Sequence, residues 1–346
     1  MATETITTEQ ERQRAPSAVI RVTRRVGQVR ELGLLVVLLL IFVGVGLPVP
    51  RFIGVNNLRD ILLSVAIIAI IAVGETLVVL TRNVDLSVSA IVGLVAFVSG
   101  DLFKEHPGIS MTVVIAIGCA IGLGLGLVNG LLASYGGVPS IVVTLGTLYI
   151  YRGLDYAYAG GKQVNAFDVP DRFLSLATDT ILGIPLLIVI AAVIALIFAL
   201  FLRYARIGRQ LYAIGSNPEA ARLAGIQSNR LVLLAFVISG LLSSIAGILW
   251  AARFATVDAN AATGLELLVV AAVVVGGVNI FGGSGTILGA MLGAILLATI
   301  QDALNILAIS AFWLQAFYGA AILLAVILDT LIMRRLQRTY LTRRLR

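Results

Sequence analysis

Histidine, cysteine and lysine are scarce in this sequence of 346 residues, and each scarcity narrows the possible functions. His106 is the only histidine, which excludes histidine-based metal sites and argues against a Ser-His-Asp triad. Cys119 is the only cysteine, so no disulfide can form within the chain. The G-x-x-x-x-G-K-[ST] motif is absent, so the chain has no recognisable means of hydrolysing ATP. We therefore predict no catalytic residue, no metal site and no cofactor bound by this chain.

Charged residues are also few, at 12% of the chain, whereas hydrophobic residues make up 59%. Soluble domains carry about 25% charged residues, so this composition predicts an all-α integral membrane protein. A transmembrane helix needs about 20 mostly apolar residues. By that criterion the sequence predicts about ten spans, at 32–49, 61–80, 86–103, 111–133, 138–153, 181–202, 231–252, 264–280, 285–301 and 312–333.

The arginines lie mainly in three polar segments, which predicts how the chain is oriented. Six arginines lie in residues 1–31, five in the loop 203–230 and six in the tail 334–346. Because positive residues collect on the cytoplasmic side, we expect both termini and this loop there, flanking and interrupting a transmembrane domain at 32–333. Because the arginines are concentrated in these segments, the net charge of +7 does not indicate that the protein binds nucleic acid.

A short polar helix is predicted inside that arginine-rich loop, in the stretch "SNPEAARLAGI" at 216–226. Asn217 is a good N-cap, Pro218 suits the first helical position, and Glu219 lies in the first turn, where the helix dipole favours an anion. Gly225 can end the helix in a left-handed conformation.

Two groups of polar residues fall at membrane depth. The first group consists of Glu75, Asn83, Asp85 and Ser87. It is either a cytoplasmic turn, in which Asp85 caps the next helix, or a broken helix that lines a polar route. The second contains Asn279 and Ser284 within a glycine-rich stretch, and it reads either as a tight helical hairpin or as part of the same route. We select these six residues as the candidate substrate pathway.

Glycines recur every four residues at Gly118, Gly122, Gly126 and Gly130, and again at 285, 289 and 293. Small residues at this spacing let helices approach closely, which favours packing within the chain over a dimer seam. A long loop at about 154–180 is predicted on the outer side, either as a connector or as a docking surface.

Several blocks resemble the ribose/xylose branch of bacterial ABC-importer permeases, over nearly the whole chain from about residue 33. "EAARLAG" at 219–225 is similar to the E-A-A-x-x-x-G signature of the family, and "GETLVVLTRNVDLSVSAIVGLVAF" is similar to its D-L-S-V block. The residues that approach this block, "LTRN" at 80–83, resemble those of the permeases for autoinducer-2 and rhamnose.

The resemblance implies an obligate assembly in the bacterial inner membrane that imports a monosaccharide or sugar-like solute such as autoinducer-2, rhamnose or a pentose. Its implied partners are a second permease subunit, identical or paralogous, two ATPase subunits that use ATP and Mg²⁺, a sugar-binding protein outside the membrane, and lipid. The helix at 216–226 would be the coupling helix that docks on the ATPase. The implied coupling residues are Arg206, Arg209, Asn217, Glu219, Ala220, Ala221, Arg222 and Gly225.

Three other functions remain open at this point. A branched-chain amino-acid permease of the same class is the nearest alternative. An ion-coupled secondary transporter would use intramembrane carboxylates such as Glu75 and Glu266 and would need no ATPase. A structural or channel-like membrane protein would leave the capped polar helix without a purpose.

Overall fold

The computed structural model describes residues 18–310, 313, 315–324 and 327, with side chains from Glu31 onward. The predicted tail at 334–346 and most of the predicted N-terminal segment at 1–31 therefore lie outside the described residues.

The described chain is almost entirely helical. Its first seven α-helices are α1 Ala18–Gly46, α2 Val55–Leu80, α3 Val88–Glu105, α4 Met111–Ser134, α5 Ser140–Ala159, α6 Asp171–Thr178 and α7 Leu186–Tyr204. The remaining helices are α8 Arg206–Ser216, α9 Pro218–Leu223, α10 Ser228–Phe254, α11 Leu265–Val275, α12 Ile287–Ile306 and α13 Gln315–Leu324. Two short 3-10 helices at Pro50–Ile53 and Ala166–Asp168 and one antiparallel pair, β1 Thr180–Ile181 with β2 Ile184–Pro185, complete the described elements.

Each of the first nine predicted spans overlaps one helix, and the all-α membrane fold is confirmed. The tenth predicted span, 312–333, overlaps α13, and much of the rest of it lies outside the described residues. Helices α2, α4, α7, α10 and α12 are long and apolar enough to cross a bilayer, whereas the apolar parts of α1, α11 and α13 are shorter. The total of ten spans and the cytoplasmic termini stay predictions. We call the end of the bundle that carries α9 the inner end, after the predicted orientation, and the opposite end the outer end.

Several predicted boundaries differ from the structure by five residues or more, and two of these differences are informative. Helix α1 begins at Ala18, before the predicted start at 32, because a polar and basic stretch can extend a helix beyond the apolar segment. The eighth span was predicted to reach 280, but α11 ends at Val275, and Gly277 follows in a left-handed conformation with a φ of 100°. The chain then forms a non-helical loop that continues to Thr286.

Helix α2 lies at the centre of the bundle. Every residue from Val65 to Leu80 is buried, because α7, α10, α11 and α12 pack around the helix and α8 contacts it as well. A central helix touched from all sides transmits any displacement of one end to most of its neighbours.

The first glycine stripe packs α4 against α10. A side chain at Gly126 would come within 2.5 Å of the carbonyl oxygen of Phe236, and Gly240 of α10 faces the same stripe. On α12, Gly289 and Gly293 face Gly276 and Ala272 at the end of α11 in the same way. Both stripes therefore serve packing within the chain, as the spacing favoured.

The outer segment between α5 and α7 folds as a cap on the bundle. Phe173 of α6 is fully buried and its ring lies 5.0 Å from that of Phe103. Val164 forms an antiparallel bridge with Val257 in the next outer loop. This segment is thus an ordered part of the core, while Phe167 and Leu182 remain exposed on its surface.

Candidate functional site

Helix α9 forms at the inner end with the caps that its sequence predicts. The Asn217 side chain accepts hydrogen bonds from the backbone N–H groups of Glu219 and Ala220, at 3.1 and 3.0 Å. Pro218 occupies the first turn, and Gly225 follows the helix with a φ of 75°. Because both ends are satisfied locally, the helix keeps its shape although it contains only six residues.

The predicted coupling residues gather on this exposed surface. Among them only Ala221 is buried, and it anchors α9 to the bundle. Arg206 and Arg209 lie on α8, where the Arg209 guanidinium donates to the carbonyl of Tyr204 at 2.8 Å. Leu223, which its sequence neighbourhood does not single out, has a side chain that is 83% exposed on α9 and offers an apolar contact to a partner.

Helix α9 is tied to the centre of the bundle by Arg82. The Arg82 Nε donates to the carbonyl of Gly215 at 2.6 Å, and Nη2 donates to that of Ser216 at 3.1 Å. These carbonyls end α8, where a cation is favoured by the helix dipole and by the unpaired backbone acceptors. Only Asn217 separates this contact from α9.

A third segment joins the same contact. The N–H of Gly283 donates to the carbonyl of Leu80 at 3.0 Å, so the α11–α12 loop is attached to the last residue of α2. A side chain at Gly283 would come within 2.5 Å of the Ser216 nitrogen, which explains glycine at this position. We call residues 80–83, 215–216 and 282–283 the inner junction.

Arg82 itself is held in an unusual conformation, with a φ of 67°. Such a backbone costs about 1–2 kcal/mol for a residue other than glycine and persists only where surrounding contacts impose it. The backbone then turns back into the bundle, because the N–H of Asp85 lies 3.1 Å from Oε1 of Glu75, more than a helical turn below the end of α2.

The polar groups of the re-entrant segment 81–87 form hydrogen bonds with a chain of buried polar side chains. Asp85 Oδ1 accepts from the backbone N–H and the hydroxyl of Ser87, at 3.0 and 2.7 Å. The Asn129 amide donates to the Ser87 hydroxyl at 2.7 Å and accepts from the Tyr151 hydroxyl at 3.1 Å. Ser239 donates to Asp85 Oδ2 at 3.4 Å. We call Glu75, Asp85, Ser87, Asn129, Tyr151 and Ser239 the closed network, since none of them is more than 3% exposed.

The six predicted pathway residues do not lie together. Glu75, Asp85 and Ser87 are enclosed in the closed network, where they satisfy irregular backbone that membrane depth would otherwise leave unpaired. Asn83 donates to the carbonyl of Thr81, and Asn279 accepts from the N–H of Phe281. Ser284 is exposed beside Asn279, near the inner junction. The pathway role of these residues stays a prediction.

The outer cap carries two ion pairs, of which Lys104–Asp168 is partly buried and Lys162–Glu105 is exposed. The Asp168 carboxylate accepts from the backbone N–H of Asn165 and lies 3.4 Å from the Lys104 ammonium, and both contacts hold its pKa below the usual value. A hydrogen bond to Glu105 at 3.1 Å raises the pKa of Lys162. Surface pairs of this kind stabilise little.

Comparison with known proteins identifies relatives over most of the chain. Residues 57–326 match the family described as "Branched-chain amino acid transport system / permease component". The chain is 35% identical over 299 residues to the ribose import permease protein RbsC of Escherichia coli K12, covering 85% of this chain and 92% of that one. It is 34% identical over 309 residues to the autoinducer 2 import system permease protein LsrC of Salmonella typhi, covering 89% and 88%. No solved structure matches the chain.

Proposed function

Because this chain belongs to the family of branched-chain amino acid transport system permease components, we propose that it imports a monosaccharide or sugar-like solute as the permease of an ATP-driven transporter. The relatives named above are import permeases for ribose and autoinducer 2, and this favours a sugar-like solute over a branched-chain amino acid. The chain is a multi-pass membrane protein, and the family relationship confirms the resemblance to sugar permeases.

The contacts of the inner junction are the main support for the proposed coupling role of α9. A partner that binds the exposed face of α9 and moves it also displaces Ser216, and Arg82 connects Ser216 to the end of α2. The Leu80–Gly283 hydrogen bond connects the same point to α11 and α12. Docking of an ATPase on one short helix would thus displace the central helix and two of its neighbours as rigid units.

The surface chemistry of α9 indicates what the partner must offer. Glu219 and Arg222 are exposed with opposite charge, and Leu223 is exposed on the same short helix. The charges orient a partner more than they strengthen binding, so Leu223 is expected to supply the apolar centre of the contact. We include in the proposal two such permease subunits, two ATPase subunits and a solute-binding protein on the outer side.

The proposal is tested with the reconstituted transporter by measuring solute uptake and ATP hydrolysis together. Arg82→Ala is expected to leave ATP hydrolysis in place and to lower uptake per ATP at least about tenfold, the equivalent of losing about 1.4 kcal/mol of coupling. Arg59→Ala is the matched control, because Arg59 is exposed at the outer end. Unchanged uptake per ATP in Arg82→Ala contradicts the coupling role.

A second pair of variants tests the end of α9. Gly225→Val forces a β-branched residue into a left-handed conformation and is expected to uncouple hydrolysis from uptake. Gly160→Val is the control, since Gly160 ends α5 at the outer end with a φ of 54°. If this chain alone in liposomes drives uptake with an ion gradient, the secondary transporter replaces the proposal. Uptake that is inhibited by leucine and not by ribose identifies an amino-acid permease.

A further inference from the structure

A cavity of about 150 Å³ opens at the outer end between α2, α10, α11 and α12, far from the inner junction. Its polar lining consists of Asp60, Ser64, Arg253, Gln301, Asp302 and Asn305. Asp60 and Asn305 are exposed at its mouth, whereas Ile61 and Ile67 are buried along its wall. A cavity of about this volume accommodates a single six-membered ring.

Several polar groups around this cavity have no hydrogen bond to any of the described residues. The Asp60 carboxylate and the Asn305 amide are of this kind, although Asp60 stands near Arg253. Arg253 uses Nη2 to bind the carbonyl of Asp60 and the hydroxyl of Ser64, at 3.3 and 2.9 Å, which leaves Nε and Nη1. Asp302 accepts from Asn57 through Oδ2, which leaves Oδ1. Both donors and acceptors that lack a partner among the described residues therefore line one small space.

An aromatic surface completes the lining. The rings of Trp250 and Phe254 lie 4.5 Å apart, and both residues border the cavity. A sugar ring presents an apolar C–H face and a rim of hydroxyl groups that donate and accept. An aromatic wall with mixed polar groups matches both features.

We propose that this cavity is a binding site for a neutral monosaccharide at the outer end of the permease. Hydroxyl groups of the sugar donate to Asp60 and to Oδ1 of Asp302 and accept from the guanidinium of Arg253, while its C–H face stacks on Trp250. Two carboxylates against one guanidinium exclude an anionic solute. The choice of sugar as ligand rests on the proposed function, whereas the site itself rests on the cavity.

Trp250 provides a direct measure of binding. The sequence has two tryptophans, Trp250 and Trp313, so a Trp313→Phe background leaves Trp250 as the only reporter. We expect D-ribose or L-rhamnose, added to the full-length chain in detergent, to change the Trp250 fluorescence in a saturable way. L-leucine is expected to produce no change.

Asp60→Asn is the sharpest variant, because it keeps the size of the side chain and removes no hydrogen bond within the described residues. It is expected to raise the half-saturating sugar concentration about tenfold, as does Asp302→Asn. Asp171→Asn, on the exposed surface of α6 at the same end, is the matched control and is expected to leave that concentration within about twofold.

Four outcomes count against the site. The inference is overturned if neither sugar changes the fluorescence, if both cavity variants bind like the control, or if leucine gives the same signal. It is also overturned if brominated phosphatidylethanolamine quenches Trp250 and ribose does not displace it, because the cavity then holds lipid. If the transporter shows ATP-driven sugar uptake but no sugar binding is detected at Trp250, the site is wrong and the proposed function stands. If sugar binds at Trp250 but there is no ATP-driven sugar uptake, the site stands and the proposed function is wrong.

Discussion

The closed network near the inner end and the cavity at the outer end use similar residues in opposite ways. In the closed network Asp85, Ser87 and Asn129 bind one another and the backbone of the re-entrant segment. In the outer cavity Asp60 and Asn305 have the same side-chain chemistry and no hydrogen bond to the described residues.

The difference shows that residue type does not separate structural from ligand-binding polar groups in this membrane protein. Within the closed network most enclosed polar atoms have partners and support irregular backbone, and Oε2 of Glu75 is the exception among the described residues. Polar groups at the mouth of the cavity can be hydrated when no solute is bound. Two pairs of variants test this contrast, and a pH series on an ion pair of the outer cap follows them, from the largest expected effect to the smallest.

The largest effect is expected from Asp85→Ala. It removes the acceptor of the Ser87 N–H, the Ser87 hydroxyl and the Ser239 hydroxyl, all of which are buried. Each orphaned donor costs about 1–3 kcal/mol, and relief of repulsion from Glu75 offsets part of this, so the expected net loss of stability is about 3 kcal/mol. Thermal unfolding in detergent, followed by helical circular dichroism, measures it. Asp60→Asn is the counterpart at the cavity and is expected to change stability by less than about 0.5 kcal/mol. Equal losses of stability in the two variants would contradict the proposed difference between the two regions.

A smaller effect is expected from Asn129→Ala. The variant removes the donor to Ser87 and one acceptor of Tyr151, whose hydroxyl keeps its contact with the carbonyl of Leu125 at 3.0 Å. The expected loss is about 2 kcal/mol in the same melting experiment. Asn305→Ala, at the mouth of the outer cavity, is expected to melt within about 0.5 kcal/mol of the parent chain. A larger loss in Asn305→Ala than in Asn129→Ala contradicts our interpretation.

The smallest effect is expected from the partly buried Lys104–Asp168 ion pair on the outer cap. The lowered pKa of Asp168 means that its ionised form stabilises the folded state above the ordinary value of 3.8 and that this contribution disappears as the pH falls through the lowered pKa. The melting temperatures of the parent chain and Asp168→Asn should thus differ slightly at neutral pH and converge in acid. A difference that grows as the pH falls below 3.8 would reverse the assigned sign.

Local signals predicted much of this fold, because they depend on neighbours in the sequence. The apolar runs located the membrane helices, the glycine spacing indicated close helix packing within the chain, and Asn217 and Gly225 marked the ends of α9. Interactions between distant residues were not predictable in this way. Arg82 lies in a polar turn like many others, and nothing in its neighbourhood indicates a hydrogen bond to Gly215, 133 residues further on.

The amino-acid order alone was sufficient for the membrane class, the family resemblance and the capped helix, since composition, periodicity and capping all act over a few turns. Only the tertiary structure decided which polar residues are enclosed and which face a cavity. That distinction depends on how α2, α4, α5 and α10 come together, and burial determines whether a polar group must have a partner or can accept a solute.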